Sequence, residues 1–226
     1  MRNWKRWAIG AAIAVPIGVV GGPYVYIHFI EGKAPAPLTI DNSRPTATTD
    51  TGGSVDGTWT VAGGSVVGYR VDEVLFGQSN TAAGRTSSVT GTVTIGGRTV
   101  SSASFTVDMT TVTSDEERRD RQFNGRIMDT ASFPTATFKL TQPIALSSIP
   151  DEGVASTATA VGELTLRGTT KTVTVSLKGL RSGGVIQVSG SIPVTFAEWN
   201  IPNPSFGPVT TEDHGTLEFL LKLTKG

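Results

Sequence analysis

Residues 158–177 run ATAVGELTLRGTTKTVTVSL. Ala158, Ala160, Gly162, Leu164 and Leu166 alternate with Thr159, Glu163 and Thr165, while Val173, Val175 and Leu177 alternate with Thr172, Thr174 and Ser176. A strand sends successive side chains to opposite faces, so each half of the stretch predicts a strand with one apolar face. Gly168 with Thr169 supplies the tight turn between them. The stretch is an antiparallel hairpin whose apolar positions share one side of a sheet.

The same period recurs on both sides of it. Val89, Gly91, Val93 and Ile95 alternate with Ser and Thr, and Ala103, Phe105, Val107 and Met109 with Ser104, Thr106, Asp108 and Thr110. Ala136, Phe138, Leu140, Ile144 and Leu146 hold even positions, and so do Ile186, Val188, Gly190, Ile192, Val194 and Phe196. Leu217, Phe219, Leu221 and Leu223 close the chain, and the less regular Ser65 to Phe76 opens the domain. The total is about eight strands. Gly96-Gly97 and Gly183-Gly184 suit further two-residue hairpins. A meander of this size closes into a barrel or folds into a sandwich. One segment departs from the pattern. Ser114-Asp-Glu-Glu117 fits a capping box, with Thr113 and Glu116 offering the same chemistry one residue earlier. A short helix is expected to about Phe123, ending near Gly125, with Phe123, Ile127 and Met128 facing the sheet.

Composition narrows the function. Nineteen Lys and Arg balance nineteen Asp and Glu, which argues against nucleic acid as a partner. There are no cysteines, which removes disulfides, thiolate metal sites and cysteine nucleophiles, and only two histidines, His28 and His214. No metal and no cofactor is expected. Residues 8–30 carry no charge and as a helix would span about 35 Å, enough for a ~30 Å hydrocarbon core. Arg2, Lys5 and Arg6 precede them, which places the N-terminus inside and the remainder outside the cell membrane. A cleaved signal peptide is the competing reading. The expected organisation is residues 1–31 as cytoplasmic N-terminus and transmembrane anchor, 32–55 as a flexible linker rich in Pro, Thr and Ser, and 56–226 as the folded domain.

Small residues recur among the inward positions: Gly91, Ala103, Ala136, Ala158, Ala160, Gly162 and Gly190. They either leave an apolar cavity or mark bends where the sheet curls, and spacing alone leaves the two balanced. Catalytic constellations are weak. His214 with Glu212 and Asp213 reads as a solvated turn, and Asp115, Glu116 and Glu117 as a helix cap. The run Glu117-Arg118-Arg119-Asp120-Arg121 reads as a solvated helix face, or as a cluster that fixes the helix over a barrel mouth or holds a polar head group.

Three segments then occur in a telling order. Thr113-Ser-Asp is followed by Arg119-Asp120 and Phe123; Phe133-Pro134 by Thr137-Phe138; and the opening hairpin contains Gly162-Glu-Leu-Thr-Leu-Arg-Gly168-Thr-Thr-Lys171. Together, with Trp59 before them and Phe206-Gly207 after, they resemble the YceI-like family, a lipid- or polyisoprenoid-binding domain, over Asp56 to Lys225. The resemblance implies an all-β, eight-stranded, antiparallel lipocalin-like barrel with one short α-helix, here preceded by the N-terminal transmembrane helix. It also implies a long apolar pocket, which favours the cavity over the bends. The family is usually secreted or periplasmic, so the anchor and linker are departures, as is the irregular segment from Trp199 to Gly207.

On that footing the candidate ligand contacts are Phe105, Val107, Met109, Phe123, Ile127, Phe133, Phe138, Leu140, Leu164, Leu166, Val175, Ile192, Val194, Phe196 and Phe219. Phe133 and Phe138 are expected to pack under the helix. The expected function is non-enzymatic: an extracytoplasmic protein that sequesters an apolar lipid such as a polyprenyl chain, a quinone tail or an acyl chain. Residues 8–30 are the expected membrane contact, and a homodimer is the oligomer considered. The alternatives are a tethered surface interaction module with a filled core and no ligand, or an envelope hydrolase, for which no acid, base or nucleophile cluster can be assembled.

Overall fold

The computed structural model describes residues 34–40, 53–75, 77–207 and 209–226. The expected transmembrane span lies outside the described residues. Among the described residues no helix is long and apolar enough to cross a membrane.

Twelve strand segments form one antiparallel sheet. They are β1 (Gly57–Val61), β2 (Val66–Leu75), β3 (Gln78–Thr86), β4 (Val89–Gly96), β5 (Thr99–Asp108), β6 (Thr135–Leu140), β7 (Ile144–Ala145), β8 (Ala155–Leu166), β9 (Thr169–Ser182), β10 (Val185–Thr195), β11 (Val209–Thr211) and β12 (His214–Lys225). Four of them continue a neighbour: β1 runs on into β2, β3 into β4, β6 into β7 and β11 into β12, each pair along a shared partner. The result is eight staves, each beside its neighbour in the chain. The sheet closes where β12 meets β1, from Trp59↔Lys225 to Val61↔Leu223, and β2, from Thr216↔Arg70 to Leu220↔Val66. Closure removes both sheet edges. The eight alternating stretches of the sequence map one to one onto the staves. Residues 78–86 add a stave half that has no apolar alternation, and it forms because it pairs with β2 from Val67↔Thr86 to Leu75↔Gln78.

The hairpins fall close to where the glycines put them. Gly183 and Gly184 hold φ values of 58° and 75°, the two left-handed residues that a twisted two-residue turn requires. The turns expected at Gly96-Gly97 and at Gly168-Thr169 lie one residue away, at Gly97-Arg98 and Arg167-Gly168. At the second, Arg167 takes the left-handed conformation with φ 46° beside Gly168 at 72°.

The helix is shorter than expected and differently capped. α1 spans Glu117–Gln122, and Glu116 is its N-cap, accepting the Arg118 N–H. Ser114 does not cap it: its N–H and hydroxyl donate to Asp120 Oδ1, at 2.8 and 2.6 Å, and its oxygen accepts the Glu116 N–H at 3.2 Å, one residue short of the helix. Gly125 does not end the helical path either; the backbone widens into one π turn over Phe123–Ile127. This unit, the Arg167-Gly168 turn and the segment after β10 share the upper end of the barrel. The chain enters β1 and leaves β12 at the lower end, where Trp59 is 3% exposed and its indole N–H donates to the Val55 carbonyl at 2.7 Å.

The linker reading changes for residues 34–40, which lie against the outer wall. The Leu38 N–H donates to Glu218 Oε2 at 3.1 Å, and the Pro35 and Ala36 carbonyls accept from the guanidinium groups of Arg70 and Arg85. Ile40 is 3% exposed. A tether rich in Pro and Thr still offers backbone acceptors, and two outward-facing arginines bind them.

Candidate functional site

Inward-facing side chains do not fill the barrel. They surround a cavity of about 800 Å³ that runs from Val55, Ile149 and Pro150 at the lower end to Leu75, Pro204 and Phe206 at the upper end. A second observation agrees. Phe105, Phe138, Leu177, Ile186, Leu217 and Phe219 point inward yet are only half-buried, because they face open space.

The glycines account for the width of the lumen. A Cβ on Gly84 would lie 2.4 Å from the Tyr69 ring, on Gly162 2.4 Å from Phe138, on Gly91 2.5 Å from Phe105, and on Gly190 2.7 Å from Phe219. Each ring therefore lies across a glycine of the adjoining strand. Without that slot the ring would stand off the wall and occupy lumen. Both readings of the small residues have substance here: glycines shape the wall, and a cavity results.

Fourteen of the fifteen candidate contacts line this space: Phe105, Val107, Met109, Phe123, Ile127, Phe138, Leu140, Leu164, Leu166, Val175, Ile192, Val194, Phe196 and Phe219. Phe133 does not. Its ring covers Gly168, whose Cβ would lie 2.5 Å from Cε1, and the Arg167 guanidinium sits 5.9 Å from its centroid. Pro134 and the Arg167-Gly168 turn hold it at the upper rim, outside the lumen.

The structure adds wall residues that the candidate set omits, among them Val67, Tyr69, Val71, Glu73, Leu177, Leu180 and Ile186. The β2 contribution was hidden because Val66 and Val74 put apolar residues on the outer face while Glu73 puts a charge on the inner one. Leu177 and Ile186 already stood in the inward series and could have been included on alternation alone.

Charge gathers at the upper mouth. Glu73 is 7% exposed and accepts from Asn80 Nδ2 at 3.0 Å. Arg119 reaches the same carboxylate at 3.4 Å and also pairs with Asp115 on its own helical unit. Tyr69 stacks on Phe123 with centroids 5.1 Å apart and planes 9° apart. Burial pushes the Tyr69 phenol well above its ordinary range, opposed in part by the Arg119 charge. The Arg119–Glu73 pair thus fixes α1 over the lumen, the second of the arrangements open to that charged run. Across the mouth, Arg126 donates to the Asn203 and Pro204 carbonyls at 2.9 and 3.0 Å, tying the helical unit to the irregular segment before β11. Phe206, on that segment, lines the mouth and is 63% exposed.

His214 is exposed, with Nδ1 2.8 Å from Asp213 Oδ1, and that hydrogen bond raises its pKa. Ligand atoms of Glu212, Asp213 and His214 lie within 4.8 Å of one another, all on exposed side chains outside the lumen. Physically, the arrangement can enclose a long apolar body and meet a polar end at the upper mouth.

No curated protein sequence matches the chain. Among solved structures, a polyisoprenoid binding domain from Saccharophagus degradans, implicated in plant cell wall breakdown, is similar at 14% identity and a TM-score of 0.59, over 75% of this chain and 98% of that one. BcnA of Burkholderia cenocepacia matches at 21% identity and 0.53, covering 68% and 95%. A YceI protein of Campylobacter jejuni matches at 13% and 0.51, covering 85% and 100%. At these identities the likeness shows the fold, an antiparallel barrel. The sequence itself matches the YceI-like domain over residues 59–223, from the first stave to the last, and the chain belongs to the YceI-like family.

Proposed function

We propose that this protein binds a long apolar lipid, such as a polyprenyl chain, a quinone tail or an acyl chain, inside the barrel without transforming it. The observation that carries the reading is the open lumen of about 800 Å³ walled by Val, Leu, Ile, Phe and Met. The magnitudes favour a long chain over a small apolar molecule. Each buried CH₂ contributes about 0.8 kcal/mol, so ten carbons contribute about 8. Association costs of similar size cancel that, whereas about twenty carbons leave enough for micromolar binding. The name of the Saccharophagus relative supports a polyisoprenoid. The buried Glu73 and Arg119 at the mouth are engaged with each other, which supports holding over catalysis.

Residues 8–30 are proposed as an uncleaved anchor with the barrel on the extracytoplasmic side, a reading supported by their uncharged length and the basic residues before them. The anchor keeps the lumen near a reservoir of lipid and raises the effective ligand concentration. The test is native mass spectrometry of residues 34–226, which hold the barrel and the segment docked on its wall, followed by organic extraction. A co-purifying lipid mass lost on denaturation supports the reading. An apo mass that stays unchanged after incubation with polyprenyl lipids and quinones overturns it.

A further inference from the structure

The lumen ends below in a thin partition. Val55, Ile149, Pro150 and Arg181 line the lumen, and the same four residues line a second cavity of about 400 Å³ at the lower end. Asp56, Arg98 and Asp151 line only the second cavity. One layer of side chains therefore separates an apolar space from a charged one. Its members come from two segments, and both are fixed. The Val55 carbonyl accepts the Trp59 indole N–H at 2.7 Å, and Asp56 Oδ1 accepts the Gly97 N–H at 2.6 Å. On the other side the Leu146 N–H donates to the Arg98 carbonyl and the Gly153 N–H to the Arg181 carbonyl, each at 2.8 Å. Arg181 joins the two segments. Its Nη1 donates to the Gly53 carbonyl at 3.0 Å, and its Nε lies 3.2 Å from Glu152 Oε2. A floor tied on both sides stops a chain rather than yielding to it.

The wall just above the floor is wide. Ser156, the second residue of β8, stands opposite Gly179 of β9, and both line the lumen. Higher up, each of Gly84, Gly91, Gly162 and Gly190 has an aromatic ring lying across it. Gly179 has none: a Cβ there would meet nothing nearer than the Ser156 hydroxyl, at 3.5 Å. A tail that reaches this level finds room at its sides and a stop ahead of it.

We infer that this floor sets the longest chain from which the protein draws affinity: the polar end of the lipid stays at the upper mouth, and Val55, Ile149 and Pro150, clasped by Arg181, stop the tail. The inference rests on the lipid binding proposed above. Affinity then rises about fourfold with each carbon added until the tail meets the floor, and stops rising there.

The test uses the full chain in digitonin, a detergent with no alkyl chain to enter the lumen. Straight-chain primary alcohols of increasing length displace a fluorescent fatty acid, from wild type and from two variants. The ratio of variant to wild-type affinity at each length cancels the partition of the alcohol into micelles. Ser156→Leu raises the floor. Leucine adds two heavy atoms, so the ratio should stay near one for short chains and fall about fifteenfold for chains that reach the floor. Ile149→Ala lowers the floor, and its ratio should stay near one for short chains and rise above one past the wild-type limit. The two substitutions lie on different segments and act in opposite directions, so loss of fold in one leaves the other to decide. Wild-type affinity that climbs with length without a limit, or ratios that are the same at every length, overturns the inference and leaves lipid binding standing. No displacement at any length overturns lipid binding and the inference with it.

Discussion

Ala158→Leu separates an open lumen from a filled core by the sign of its effect. Ala158 lines the cavity on β8, opposite Leu177 of β9. In a core packed to normal density, three extra carbons force neighbours off their rotamers and cost about 1–3 kcal/mol. In the lumen described here they enter empty space. At about 0.8 kcal/mol per carbon the ceiling is about 2 kcal/mol of stabilisation. Those carbons also displace a matching length of lipid tail, so what folding gains binding loses, about thirtyfold in affinity for 2 kcal/mol. Urea unfolding of lipid-free protein reads the first effect and a lipid titration reads the second. The expected pair is a higher urea midpoint with weaker binding. A loss of 1–3 kcal/mol with unchanged lipid affinity would refute the open lumen.

Other perturbations test separate parts of the site. Gly190→Ala should push the Phe219 ring off the wall into the lumen and weaken lipid binding, with the protein still folded by circular dichroism; unchanged affinity would mean that the ring has another place to go. Arg119→Leu leaves the buried Glu73 with only Asn80 among the described residues and should cost about 3 kcal/mol in urea unfolding, since removing one partner strands the other charge; a loss below 1 kcal/mol would show that the pair is solvated. Tyr69 has a folded pKa above its ordinary value of 10.0, so its burial stabilises fully below pH 10 and that contribution fades as pH rises further. The stability difference between wild type and Tyr69→Phe should therefore be flat to about pH 10 and shift against wild type beyond it, and a difference constant through that range contradicts a buried neutral phenol. Phe133→Ala should lower stability through the Arg167-Gly168 turn and leave the lipid affinity of the folded protein unchanged; a large affinity loss would return Phe133 to the lumen.

The sheet was legible in the sequence because alternation is a direct record of which face is dry. From Val89 to Phe196 the inward series reads off in steps of two, and nearly all the candidate contacts lie on the cavity for that reason. Residues 78–86 were not legible, since QSNTAAGRT alternates nothing and takes its strand state from β2. Phe133 was misplaced because a ring just before a strand can turn to either side of the rim. Local sequence does not say that Gly168, a turn away, leaves a slot for it. The docking of residues 34–40 was hidden for a related reason. Its contacts are backbone carbonyls and one N–H, which have no composition, and the partners Arg70, Arg85 and Glu218 become neighbours only once β2, β3 and β12 are side by side. The helix cap shifted because the Ser114 oxygen accepts from the Glu116 N–H rather than from that of Glu117, while Asp120 takes the Ser114 N–H and hydroxyl proton.

The meander is local everywhere except at its seam. Each hairpin can form from neighbouring chain, but β12 must find β1 and β2 across the length of the domain. Loop-closure entropy makes such a pairing the slow one, and it becomes available only after the last strand has emerged. Until then the sheet is an open trough whose oily side is wet, with two unpaired edges. The seam therefore sets the interval in which this chain is most prone to aggregate, and trimming the final residues of β12 should lengthen that interval more than equal trimming of any hairpin.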